Sequence, residues 1–269
     1  MTSRALVALL AVVVALLGGC AADDQSSPTT GAVDQTVVRV AAASDLRFAL
    51  AEVTERFTAE RPGIEVATSY GSSGTFYQQL RNGAPFDVFL SADVAYPERL
   101  AAAGLADPGE VFDYAIGQLV IWAPNGSPVD PDRGLAGLGD EAATTIAIAN
   151  PAHAPYGAAA VAALKSAGVY DRVAPRLVLG ENAAQAAEFV QSGNADAGLI
   201  ALSLALSPAM STTGTFAPVP PESFPTLRQG GVILDSDGDS SANRAFRDFL
   251  LGPVGRAILA EYGFSLPEG

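Results

Sequence analysis

"YGSSGTFYQQL", residues 70–80, decides the fold, because a strand-like run stops there and a helix-like run begins. Ile64 to Ser69 alternates apolar and polar side chains as a half-buried strand does, and the aromatic stretch after Gly74 repeats at helical spacing. The joint between them is Gly71-Ser72-Ser73-Gly74. A strand that opens directly into a helix leaves main-chain N–H groups without intrahelical partners at the helix start. With the hydroxyls of Ser72, Ser73 and Thr75 beside them, those groups suit an anion. The same letters also describe an ordinary N-cap by Ser73, with Gly71 and Gly74 relieving turn strain.

Working outward, the joint recurs. Val37 to Ala43 reads as a strand, followed by a helix from about Asp45 to Glu60 with Leu46, Ala49, Leu50, Val53 and Phe57 on one face, stopped by Arg61-Pro62-Gly63. Phe86 to Ser91 is a third strand, and a helix from about Ala95 to Ala103 ends at Gly104. This β-α-β-α-β order predicts a parallel sheet with helices on both faces. A second series begins with Ile116 to Ala123, read as a strand. Strands at Thr145–Ala149, Arg176–Leu179 and Ala197–Ala201 follow, with helices at Gly157–Ala167 and Ala183–Gln191 between them. Thr215–Val219 and Gly231–Leu234 are further strands, and two helices close the chain. The expected organisation is α/β with two lobes, each a mixed, mostly parallel sheet flanked by helices: 36–115 in the first, 116–230 in the second, and 231–269 returning to the first.

Four strand ends open into helices: Ala43-Ser44-Asp45, Gly71-Ser72-Ser73-Gly74, Pro155-Tyr156-Gly157 and Gly180-Glu181-Asn182-Ala183. In open α/β sheets ligands sit outside the carboxyl ends of the strands, so all four can face one cleft. One helix terminus contributes only about 0.3 to 2 kcal/mol toward an anion. Four converging termini with hydroxyls would matter. None of the four carries arginine or lysine; Arg47, the nearest cation in sequence, is expected to point away along its helix.

The ends and the composition bound the partners. Arg4, the 13-residue apolar run Ala5 to Leu17, and Leu17-Gly18-Gly19-Cys20 read as a cleaved lipoprotein leader, 1–19. The run is too short to span a bilayer comfortably. Cys20, the only cysteine, excludes an intramolecular disulfide and is the lipid attachment site, with 20–35 a polar, flexible tether. The chain has 269 residues, 15 Lys and Arg against 29 Asp and Glu, and a formal charge of −14. No basic stripe exists to neutralise phosphates, so nucleic acid is excluded as a partner. An anion site here would have to work through short-range dipoles and hydrogen bonds.

The motifs "AAASDL", "YGSSGT", "GAPFDVFLSAD", "NPAHAPYG" and "EYGFSLP", in that order and spacing, resemble the molybdate-binding proteins of bacterial ABC importers, from about Val37 to Pro267. The resemblance implies a hinged, two-lobed periplasmic-binding-protein fold of type II. It implies a monomeric, extracytoplasmic receptor, not an enzyme, that closes on molybdate or tungstate and delivers it to a membrane permease driven by an ATPase. No cofactor and no metal-cation site go with it. The family's ligand contacts carry over onto the hydroxyl of Ser44, the hydroxyl and N–H of Ser73, and the backbone N–H groups of Tyr156 and Ala183. Some family members add a tyrosine hydroxyl from the second lobe; aligning on "AGLIALS" puts that position at Ala201, which has no side-chain donor, so that either the site has one hydrogen bond fewer or a group such as Asn182 or Tyr156 substitutes. Ser72 is a further hydroxyl of the same turn. Asp45, beside Ser44, would repel a dianion unless it turns away to cap its helix.

Other chemistries stay in view. A serine hydrolase would use Ser73 with His153, the only histidine, but Gly71-Ser72-Ser73-Gly74 is not G-x-S-x-G, and His153 reads as a turn residue between prolines. Asp235-Ser236-Asp237-Gly238-Asp239 has glycine fourth, not sixth, and reads as a turn rather than a calcium loop. Within binding proteins, sulfate and phosphate are the alternatives. A carboxylate ligand would favour a bidentate arginine, which no junction offers. Phosphate needs a buried acceptor for its proton, and Asp45 is the nearby candidate.

Overall fold

The structure is a computed structural model and describes residues 35–235 and 240–267. The strands are β1 (Thr36–Ala43), β2 (Ile64–Gly71), β3 (Val88–Ser91), β4 (Val111–Gly117), β5 (Leu119–Pro124), β6 (Ile146–Ala149), β7 (Leu177–Gly180), β8 (Ala197–Ala201), β9 (Gly214–Pro218) and β10 (Leu227–Ile233). The helices are α1 (Arg47–Glu60), α2 (Ser73–Arg81), α3 (Ala95–Ala102), α4 (Gly134–Leu138), α5 (Pro155–Ser166), α6 (Tyr170–Val173), α7 (Ala183–Gln191), α8 (Leu202–Ala205), α9 (Ser240–Leu251) and α10 (Pro253–Glu261).

They build two five-stranded sheets, one per lobe, in the orders β2-β1-β3-β10-β4 and β7-β6-β8-β5-β9. Each is mixed. Three parallel strands lie at one end and antiparallel pairings at the other, so parallel and antiparallel ladders are equal in number among the described residues. In both lobes the chain goes out from a central strand to one side and then crosses to its other side. Such reversals open a crevice at the strands' carboxyl ends.

Burial follows the period of two. On β1, Val38, Val40 and Ala42 pack toward α1, α9 and α10, while Ala41 joins Phe76, Leu80, Phe89 and Leu100 on the opposite face under α2 and α3. Phe57 on α1 is fully buried against Phe246 and Phe249, with ring centroids 5.3 and 5.5 Å away in edge-to-face contact. The second lobe has its own core around Ile121, Trp122, Ile148 and Leu199.

Two readings of the sequence change. The run 116–123 is not one strand: it breaks at Gln118, with Ile116 and Gly117 closing β4 in the first sheet and Leu119 opening β5 in the second. Only Gln118 interrupts its apolar letters, and one polar letter inside a buried run does not separate two strands by periodicity. Likewise β10 begins at Leu227 rather than Gly231, because Arg228 and Gln229 pair with β4 despite their polarity. Among the described residues, no helix is long and apolar enough to cross a membrane. The leader, Cys20, the tether and residues 236–239 of the acidic turn lie outside the described residues.

Candidate functional site

The four junctions follow the carboxyl ends of β1, β2, β6 and β7, and the lobes touch there. Ser44 directly follows β1; its Oγ accepts the main-chain N–H of Ala184 in the first turn of α7, at 3.1 Å. Ser73 opens α2, and its Oγ accepts the N–H of Ala92, the residue after β3, at 3.0 Å. Each hydroxyl therefore has its acceptor side filled by a main-chain N–H, and its own proton remains to be donated. Both side chains are buried.

The second lobe supplies main-chain donors. Pro155 occupies the first position of α5, leaving Tyr156 as an early N–H of that helix, and Asn182 caps α7 by accepting the N–H of Gln185 at 3.1 Å. The N–H groups of Ser73, Tyr156 and Ala183 meet no acceptor among the described residues, although all three residues are buried. A buried donor left unpaired costs about 1 to 3 kcal/mol. Donors of this kind, at three helix starts with two hydroxyls beside them, can hold a small anion.

The cleft is further closed by direct contacts. Gly74 N donates to His153 O at 2.9 Å, and Ser72 Oγ also donates to His153 O. With its proton so used, Ser72 Oγ accepts from His153 Nδ1 at 2.9 Å, which fixes the hydrogen on that nitrogen. The Ser72 hydroxyl is thus a lobe-to-lobe contact rather than an anion donor. His153 faces Ser72, not Ser73, so the pair a serine hydrolase would need is not assembled. Arg47 does not simply point away: it spans the cleft to Glu188 at 3.1 Å, but both side chains are about half exposed, and such pairs contribute about 0 to 1 kcal/mol.

Asp45 departs most from expectation. It does not cap a helix; its Oδ2 accepts from Gln229 Nε2 at 2.6 Å, its Oδ1 is buried without a hydrogen-bond partner among the described residues, and the Tyr156 phenol stands close by on the same Gln229 amide. Burial pushes its carboxyl up to about 6, against the opposing pull of the Gln229 hydrogen bond. The Tyr156 phenol is held well above its ordinary value by burial and by the neighbouring Asp45 charge. Because that phenol is turned to Asp45 and Gln229, it does not replace the tyrosine donor absent at Ala201, which is itself fully buried in β8. Asn182 has its side-chain oxygen committed to the cap.

Residues that sequence reasoning missed are Ala92, Ala184, Ser203, Tyr114 and Gln229. Ser203 Oγ donates to Asp45 O at 2.7 Å, another contact between lobes. A polar letter one place after the exposed Arg228, on the buried face of β10, was the available signal for Gln229. Among the described residues, no group of three or more His, Cys, Asp or Glu is placed to hold a metal ion. A cavity of about 840 Å³ beside Thr36, Arg39 and Asp87 lies by the amino-terminal end of β1, away from the four junctions. A cavity of about 350 Å³ lined by Tyr70, Ser72, Thr75, Glu181 and Asn182 sits at the cleft's edge.

Two lobes of mixed sheet with donors facing each other across a cleft define a solute-binding protein, and the chain belongs to the family of bacterial extracellular solute-binding proteins, whose pattern it matches over residues 38–265. Its relatives narrow the class. It is 39% identical over 229 residues to the molybdate-binding protein ModA of Azotobacter vinelandii, covering 85% of this chain and 90% of that one. The molybdate-binding protein ModA of Rhodobacter capsulatus is 38% identical over 213 residues, or 79% and 82% of the two chains. The solved structure of the periplasmic molybdate-binding protein of A. vinelandii superposes with a TM-score of 0.79 at 33% identity, covering 86% of this chain and 100% of that one.

Proposed function

We propose that the protein captures molybdate or tungstate between its lobes and delivers it to the permease and ATPase of an ABC importer. The observation that carries this is the meeting of helix starts across the cleft with donors alone: the hydroxyls of Ser44 and Ser73 and the N–H groups of Ser73, Tyr156 and Ala183. A fully ionised tetrahedral oxyanion asks for donors on every side. A hydrogen-bonded cradle without a cation offers them, and the two ModA relatives support the choice of anion. In this reading 1–19 is a cleaved leader, and Cys20 carries the lipid that tethers the receptor outside the cytoplasmic membrane through residues 20–35.

A thermal-shift screen of the chain from residue 35 onward against molybdate, tungstate, sulfate and phosphate tests the ligand. At 100 times its dissociation constant a ligand adds about 2.7 kcal/mol. For a chain of this length the melting temperature should rise by about 5 to 10 °C. A rise with sulfate or phosphate alone would overturn the ligand assignment while leaving the donor cradle standing.

A further inference from the structure

The polar side chains behind the cradle form one connected buried chain. Ala92 N donates to Ser73 Oγ, and the carbonyl of the preceding Ser91 receives the Tyr114 hydroxyl at 2.9 Å. The same Tyr114 hydroxyl meets Gln229 Oε1 at 2.9 Å. Gln229 Nε2 then donates to Asp45 Oδ2 at 2.6 Å and to the Tyr156 hydroxyl at 3.2 Å. Asp45 follows Ser44 in sequence, and Tyr156 belongs to the other lobe. The Gln229 amide therefore touches what stands directly behind three of the four junctions.

Its orientation is set by chemistry. A carboxylate can accept only from the amide nitrogen, so Asp45 sets the flip state, and the amide oxygen is then left to share the single Tyr114 proton with Ser91 O. The backbone around it is shaped for the same purpose. A methyl group on Gly117 would lie 2.7 Å from Gln229 Nε2 and would also collide with the Tyr156 hydroxyl. Bare backbone at Gly117 lets a phenol from the second lobe reach a socket in the first. All four side chains of the network, Asp45, Tyr114, Tyr156 and Gln229, are essentially inaccessible to solvent. Asp45 Oδ1 alone among their side-chain polar atoms is left without a partner among the described residues, and inside a protein so closely joined a set of polar groups moves together.

We infer that Gln229 is a positioning residue for oxyanion binding: its amide holds the Tyr156 phenol against Asp45, and so fixes the first turn of α5 opposite Ser44. The inference rests on the oxyanion-binding reading above. It assigns Tyr156 two separate jobs, a main-chain N–H toward the anion and a side chain that locks into the other lobe.

Calorimetric titration with molybdate and stopped-flow dissociation on Gln229→Met, Tyr156→Phe and the double variant test it. Each single variant should bind about tenfold more weakly, mostly through faster dissociation, and the double variant should lose about tenfold, not a hundredfold, because both changes break one link. A purely structural role for the amide in the first lobe would lower thermal stability and leave affinity untouched. Wild-type affinity in Gln229→Met, or additive losses in the double variant, would overturn the positioning role. If Gln229→Met does not fold, Tyr114→Phe removes the hydroxyl that anchors the amide oxygen while Asp45 still holds its nitrogen, and the same cycle is run with it. Failure of the wild type to bind any oxyanion would instead sink the underlying functional reading, so the two failures are told apart.

Discussion

At the scale of single residues, Asp45 is the costliest feature of the site. Its carboxyl ordinarily titrates near 3.8 and is raised by burial to about 6. A carboxyl that holds its proton more tightly folded than unfolded gives stability that is complete below 3.8 and is lost as the pH rises through about 6. At neutral pH the charged form then lowers stability by roughly 3 kcal/mol relative to acid. Asp45→Asn keeps an acceptor oxygen for Gln229 and removes the charge. Urea denaturation should find this variant more stable than wild type near pH 7.5, with the gap shrinking toward pH 4. A gap independent of pH would show that the charge is not the cause. Ser44 and Ser73 work in the opposite sense: each is already hydrogen-bonded as an acceptor, so alanine at either position removes a hydroxyl proton that the proposed cradle would give to the anion.

At the scale of elements, the start of α2 carries both a donor of the proposed cradle and a contact that closes the lobes. Gly74 brings its N–H to His153 O, and a methyl group there would lie 2.7 Å from that oxygen. Alanine is the better helix former by about 1 kcal/mol, so Gly74→Ala should leave the first lobe as stable as before or more so. In the closed arrangement the methyl group has no room. The variant should therefore melt no lower than wild type without ligand yet bind molybdate at least about tenfold more weakly, the size of effect expected from overpacking a close contact. Unchanged affinity would mean that His153 and α2 do not need to meet for binding.

At the scale of the whole molecule, polar contacts cross from the first lobe to the second at Ser44, Asp45, Arg47, Ser72, Gly74 and Gln229 among the described residues. They belong to the closed arrangement, which an anion shared between the lobes favours by binding it better than an open one. Small-angle scattering should show a smaller radius of gyration with molybdate than without; equal radii would mean that closure does not depend on the anion. The formal charge of −14 gives no long-range attraction for an anion. Affinity should accordingly change little between low and high sodium chloride, because short bonds in a buried cleft are weakly screened. A steep fall with salt would point to a cation in the site.

Local sequence determined the elements and their joints. Gly71-Ser72-Ser73-Gly74 and Asn182-Ala183 announce helix starts because capping and glycine geometry act over three or four residues, and α7 and β8 run over the residues that periodicity gives. The four junctions, and the absence of a cation from them, were legible for the same reason. What only tertiary structure decided is which side chains meet. Asp45 finds Gln229 across 184 residues, Ser44 finds Ala184 across 140, and Ser72 finds His153 across 81. The break at Gln118 and the early start of β10 were hidden in the same way, since a buried strand reads alike in either sheet. Such partnerships are set by how two sheets close on each other, and no local pattern of letters encodes that closure.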